Sequence, residues 1–129
     1  MIVVDTNIIA YLFVKCEFTA PAEKLFRRDP DWAGPLFWRS EFRNVLTTQV
    51  RRRALTLEQA CNLQLEAEDL MAGREFQVPS ADVLRLAAGS QCSAYDCEFV
   101  LLAQRLNLPL ITNDRAVLVA FPETAVPLV

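Results

Sequence analysis

Histidine is absent from this chain, and glycine occurs only three times in 129 residues. The first absence removes the commonest general base and the usual ligand set of a zinc site, so any catalysis must run on carboxylates, hydroxyls, thiols or a metal ion. Scarce glycine, with 53% hydrophobic and 22% charged residues, describes a globular chain with a generous core and no disordered arm. An excess of basic residues is also missing. The net charge of −3 argues against coating nucleic acid by bulk electrostatics, because such domains are usually strongly basic, so any RNA contact has to be local. No apolar run approaches the roughly 18 residues a membrane span needs. Cys16, Cys61, Cys92 and Cys97 form no Cys-x-x-Cys pair and are expected as reduced, mostly buried thiols rather than a disulfide framework. Met1-Ile2-Val3-Val4 carries no basic leader and meets Asp5 at once, which reads as a first strand rather than a signal peptide and sets a cytoplasmic location as the expectation.

What is present alternates. Ile2-Val3-Val4 is a short β-branched run ended by Asp5-Thr6-Asn7, as in a buried parallel strand stopping at a polar turn, with a helix capped by Thr6 or Asn7 over Ile8 to Phe13. A second helix is predicted over Ala20 to Arg28 with Thr19 as its N-cap, closed by Asp29-Pro30. Trp32 to Phe37 gives a weak second strand. Phe42, Val45, Leu46 and Val50 recur at helical spacing between Ser40 and Arg53, and Thr56-Leu57-Glu58-Gln59 starts another helix running to about Met71, so the two form a helical hairpin. Glu75 to Val78 is a third short strand, followed by a helix that Ser80 caps and Gly89 ends. Ser93 opens the strongest helix, with Phe99, Val100, Leu102, Ala103 and Leu106 on its buried side and Asn107 as its stop. Pro109 to Thr112 is a fourth strand, Asn113-Asp114-Arg115 a turn into a short helix reaching about Phe121, and Ala125 to Leu128 an edge strand. Strands alternating with helices imply a parallel sheet covered on both faces, an α/β three-layer sandwich.

Ligands of open parallel sheets sit beyond the carboxyl ends of the strands. Asp5 ends the first strand, Asp114 follows the fourth, and Asp96 and Glu41 fall in the first turns of helices that begin near that rim. Taken singly, each has a bland reading: Asp96 a capping-box acid, Glu41 a helix-dipole partner, Asp114 an N-cap, Asp5 a turn residue. Together they share one edge of one sheet, which four unrelated caps have no reason to do. Carboxylates gathered there repel one another unless a counter-ion intervenes, and oxygen-only ligands select Mg²⁺ or Mn²⁺ over zinc. Such a site fits hydrolysis of a phosphodiester without histidine.

The ordered set Val3-Val4-Asp5-Thr6-Asn7-Ile8, Ser40-Glu41-Phe42, Tyr95-Asp96 and Leu110-Ile111-Thr112-Asn113-Asp114 resembles the PIN domain, and in size and layout the VapC-like toxins of bacterial toxin–antitoxin pairs. The resemblance spans essentially the whole chain. It implies a single PIN-like domain over 1–129, a three-layer α/β/α sandwich on a parallel sheet of four or five strands. It further implies that Asp5, Glu41, Asp96 and Asp114 are an acidic quartet for Mg²⁺ or Mn²⁺, oriented by Thr6, Asn7 and Thr112, with Asn113 at a variable position. The implied activity is endonucleolytic cleavage of RNA, the assembly a homodimer, and the partner a small antitoxin that blocks the site. Cys97-Glu98 departs from the family, which more often has small or apolar residues there, and leaves Glu98 as either a solvated acid or an auxiliary ligand. Arg39, Arg43 and Arg115 flank the acids as candidate phosphate contacts, with surface arginines at helix starts as the equal alternative. Arg51-Arg52-Arg53 suits a helix C-terminus, and Trp32, Phe37 and Trp38 read as core or dimer interface rather than base-stacking platforms. Two rivals remain. One keeps the fold and only binds RNA or a partner, and a non-toxin PIN nuclease is a variant of the first reading. The other is a receiver-like or phosphatase-like phosphoacceptor, which needs a second acid where Thr6 and Asn7 stand and a lysine that is missing after Pro127.

Overall fold

The structure is a computed structural model that describes residues 1–129. Its elements run β1 (Ile2–Val4), α1 (Thr6–Phe13), α2 (Thr19–Arg28), β2 (Trp32–Pro35), α3 (Trp38–Arg51), α4 (Leu57–Met71), β3 (Glu75–Phe76), α5 (Ser80–Ala88), α6 (Ala94–Leu106), β4 (Leu110–Ile111), α7 (Arg115–Ala120) and β5 (Ala125–Val126). The five strands form one sheet in the order β3-β2-β1-β4-β5, and every neighbouring pair is parallel. A central strand of such a sheet is buried on both faces, which is why Ile2-Val3-Val4 is an unbroken apolar run instead of an alternating one. Val3 pairs with Ala33 on one side and Leu110 on the other, and Val4 with Ile111.

Helices cover the sheet as a three-layer α/β/α sandwich. α6 lies against β1, β2 and β4 and carries α5 on its outer side, while α1 to α4 pack on one another and α4 reaches β2. The core gathers Val3, Val4, Ile8, Ile9, Trp32, Trp38, Phe42 and Val100, all without solvent exposure. Burying large apolar side chains at roughly 1.5–3 kcal/mol each supplies most of the stabilisation that orders such a chain. Gly34 in β2 lets α4 approach closely: a Cβ there would stand 3.1 Å from the Met71 methyl.

Local sequence signals set several boundaries. Thr56 and Gln59 form a reciprocal capping box at the start of α4, Ser93 accepts from the Asp96 amide at the start of α6, and Asn107 adopts the left-handed conformation (φ 54°) that ends it. Other expectations are corrected. Thr19 lies inside α2, where its hydroxyl donates to the Tyr11 carbonyl at 2.6 Å and Phe18 takes the cap position. Ser80 is likewise the first residue of α5, behind Pro79, and makes no side-chain cap. The strands are shorter than the apolar runs suggested, because pairing ends where the chain turns into the next helix: Phe37 is the cap residue of α3 rather than the end of β2. Cys92 and Cys97 are buried, but Cys16 and Cys61 are exposed, and all four are free thiols.

Candidate active site

Parallel strands that stop together leave a rim, and the chain places its acids along it. Asp5 leaves β1 with its amide bonded to the Ile111 carbonyl at 3.0 Å, so the ends of β1 and β4 are tied by backbone before any side chain acts. Thr112, wholly buried, completes the tie. Its hydroxyl donates to Asp5 Oδ2 at 2.8 Å and accepts from the Asp114 amide at 3.0 Å. On the other side of Asp5, the buried Thr6 donates its hydroxyl to Glu41 Oε1 at 2.7 Å, linking α1 to the first turn of α3. Two buried threonines thus hold two carboxylates 36 residues apart in the sequence at the same end of the sheet.

Asp5, Glu41, Asp96 and Asp114 line one cleft of about 430 Å³, together with Thr6 and Asn7. Its remaining walls are Phe37, Ser40, Asn44, Val45 and Tyr95, and no lysine or arginine is among them. Asp5, Glu41 and Asp96 share one electrostatic consequence. Burial lifts the Asp5 carboxyl above the ordinary range, against the Thr112 hydrogen bond, and the charges of Asp96 and Asp114 lift it further. Burial also raises Glu41, opposed by Thr6 and reinforced by Asp5, Asp96 and Glu98. Asp96 is raised by burial and next by Asp114. These acids sense one another, and the protein supplies no positive side chain within the cleft to offset them.

Asp114 has a second occupation. Its Oδ1 accepts from the amides of Ala116 (2.9 Å) and Val117 (3.2 Å) and so caps α7, the bland role foreseen for it, while the residue still faces the cleft. No three acidic or thiol side chains stand close enough, as arranged, to hold an ion between them. The donor chemistry nevertheless fits a hard divalent cation, since every candidate ligand is a carboxylate or hydroxyl oxygen and the cleft contains no imidazole or thiolate.

Other candidates lie elsewhere. Asn113 turns from the cleft and accepts the Leu128 amide at 3.1 Å. Arg39 grips Glu75 through two nitrogens, at 2.6 and 2.7 Å, and Glu68 through a third contact at 3.0 Å. Arg43 bonds back to the Arg39 carbonyl, and neither it nor Arg115 lines the cleft. Glu98 borders a separate hollow with Val78, Ser80, Val83 and Leu84. Trp32 and Trp38 are core, as expected, but Phe37 faces the cleft and stacks on Tyr95. Sequence reasoning passed over Ser40 and Asn44 as well. The available signal was spacing, since positions 37, 40, 41 and 44 recur on the helical face that carries Glu41.

The PIN-domain family model matches residues 2–124. The chain belongs to the PIN-domain family. Solved structures with the same fold include PAE2754 from Pyrobaculum aerophilum, with a TM-score of 0.77 and 20% identity over 98% of this chain and 82% of that one. A toxin–antitoxin complex from Klebsiella pneumoniae matches with a TM-score of 0.74 and 18% identity over 100% and 98% of the respective chains. FitAcB from Neisseria gonorrhoeae matches with a TM-score of 0.71 and 21% identity over 97% and 96%. At such identities the likeness establishes the PIN fold itself. No curated protein matches in sequence. No helix of this PIN domain is long and apolar enough to cross a membrane.

Proposed function

We propose that this PIN domain is a Mg²⁺- or Mn²⁺-dependent endoribonuclease, and that it acts in the cytoplasm as the homodimeric toxin of a toxin–antitoxin pair. One observation carries the nuclease reading: four carboxylates from four separate segments line a single cleft that has no basic side chain to neutralise them. Burial first, and then the neighbouring carboxylates, raise Asp5, Glu41 and Asp96, and a divalent cation would supply the charge that offsets both. Such an ion, when bound, provides a nucleophilic water and neutralises charge that builds on the phosphate during in-line attack. Asp5, Glu41, Asp96 and Asp114 are the residues that would hold it. Thr112 and Thr6 fix the orientation of Asp5 and Glu41, so the site loses little side-chain freedom when it is filled. Asp114 would take part through Oδ2, because Oδ1 carries both capping bonds. The toxin role draws on the toxin–antitoxin complex among the structural neighbours and on the match in length to that chain.

The cap on α7 and the lack of a ready three-acid group also support a second reading, a PIN-fold module that binds RNA or a partner without cutting. The two separate cleanly in vitro. Total RNA incubated with the wild type and Mg²⁺ or Mn²⁺ is expected to yield discrete new ends, absent with chelator or with Asp96→Asn. Intact RNA under every metal condition would leave the binding module.

A further inference from the structure

The acidic cleft contains an aromatic step that catalysis does not use. Phe37, at the cap of α3, and Tyr95, in the first turn of α6, lie with ring centroids 5.1 Å apart and planes inclined by only 14°. Tyr95 is nevertheless 60% exposed, so Phe37 covers one of its faces and the other is open. Its neighbour in the chain is Asp96, and both rings line the cleft of the four carboxylates. Packing explains the covered face alone. A tyrosine ring open at the mouth of a polar cleft presents an apolar face, rigidly backed by Phe37, to whatever enters there.

Charge narrows the occupant. The cleft is acidic, its walls carry no lysine or arginine, and the whole chain has a net charge of −3. No side chain of the cleft attracts the phosphates, so whatever a bound cation does not hold of the nucleotide must be held through its neutral parts. Bases have such a part: stacking on an aromatic side chain is worth roughly 1–3 kcal/mol per base and tolerates any sequence. Ser40 and Asn44 stand exposed on the same face of α3 and line the same cleft, offering a hydroxyl and a carboxamide to a base edge. Duplex RNA cannot present a base face in this way; an unpaired nucleotide can.

We infer that Tyr95, backed by Phe37, is a stacking subsite for one unpaired base beside the scissile phosphate, with Ser40 and Asn44 as hydrogen-bonding partners of its edge. The inference rests on the nuclease reading and deepens it by naming the residues that seat one base of the strand beside the carboxylates. Tyr95 is a positioning residue: it sets where the chain lies along the carboxylates and takes no proton.

The test separates binding from cutting. A short single-stranded RNA carrying one 2-aminopurine is titrated, in Ca²⁺, into Asp5→Asn protein with Tyr95 intact, as Tyr95→Phe and as Tyr95→Ala. Expected are quenched fluorescence with the first two and loss of quenching with Tyr95→Ala, its affinity falling roughly 5- to 150-fold, the range of a single base–aromatic stack. In the otherwise wild-type enzyme, Tyr95→Ala should raise KM for the single strand by a comparable factor and change kcat less, while Tyr95→Phe restores both. Matching melting temperatures for the three proteins exclude a folding defect. If RNA is bound and cut but Tyr95→Ala quenches and binds as well as Tyr95→Phe, the subsite is wrong and the nuclease reading stands. If RNA is neither bound nor cut by the wild type with Mg²⁺ or Mn²⁺, both fall.

Discussion

Arg39 and Glu41 are two residues apart on α3, and they point into opposite electrostatic worlds. On one side of the helix Arg39 clasps Glu75, whose carboxyl also accepts the Trp38 indole N–H at 2.8 Å. There the arginine, through its hydrogen bonds, holds Glu75 below the usual carboxylate range, despite partial burial. On the other side Glu41 meets only a threonine hydroxyl and further acids, and burial pushes it up. A partnered carboxylate is structural: it joins α3 to the edge strand β3. A buried carboxylate that faces more carboxylates costs stability, and a fold retains that cost where the charge is put to use. The Arg39 cluster is therefore a clasp, and the rim at Asp5, Glu41, Asp96 and Asp114 is the candidate site.

The difference can be broken at either end. Asp5→Asn keeps an oxygen for the Thr112 hydroxyl but removes the charge, and RNA cleavage should fall by at least about 10³-fold, the scale of several kcal/mol of lost charge stabilisation. End-mapped cleavage assays would show it, and wild-type rates in that variant would remove Asp5 from the chemistry. Millimolar Mg²⁺ should raise the melting temperature of the wild type, by an amount equivalent to about 2.7 kcal/mol if the ion reaches one hundred times its Kd. A calorimetric scan with no such rise, or an equal rise in Asp5→Asn, would speak against the rim as the metal site. Arg39→Ala should leave the Mg²⁺ response intact yet destabilise the fold by about 1–3 kcal/mol, discounted because the Arg39 side chain is 36% exposed. Unchanged denaturation midpoints would demote the clasp to a surface contact.

Acidity sharpens the contrast because the two regions respond with opposite sign. Asp5, Glu41 and Asp96 have raised carboxyls, so the folded protein holds their protons more tightly; the stability this gives is complete below the ordinary carboxylate range and is lost as pH rises through the raised values. Glu75 is depressed, so its contribution is present above that range and is lost as pH falls through it. Metal-free Asp5→Asn should therefore exceed the wild type in melting temperature at neutral pH, with the gain shrinking toward pH 4, while Arg39→Ala shows its deficit at neutral pH and loses it in acid. Glu98→Gln, outside the cleft lining but near enough to Glu41 to raise its carboxyl, should change cleavage far less than Asp5→Asn in the same assay, since Glu98 is not among the four acids of the cleft.

Short-range chemistry made much of the fold readable. Thr56 with Gln59, Ser93, and Asn107 announced helix ends because capping groups act within three or four residues of the backbone they satisfy. Ile2-Val3-Val4 followed by an acid marked a buried strand and its exit. Thr19 and Ser80 misled because a hydroxyl caps from the extended residue just before the helix, and both already lie inside theirs; Thr19 instead accepts the Cys16 amide and donates to the Tyr11 carbonyl. Arg39 was placed near the acids by its sequence distance from Glu41, yet two residues of helix carry a side chain to the opposite face of the axis. The Glu75 clasp and the Phe37–Tyr95 step join segments 36 or more residues apart, and nothing local encodes such a meeting.

By itself the sequence determined the alternation of strand and helix, the acids that terminate those elements, and hence the family, because periodicity, capping and the residue after a strand are properties of neighbouring residues. Only the tertiary structure decided which of those acids face one another without a cation and which arginine is already taken. That choice depends on how α3 is rotated between the sheet edge and the rim, and the rotation is fixed by packing Trp38 and Phe42 into a core that no short stretch of chain contains.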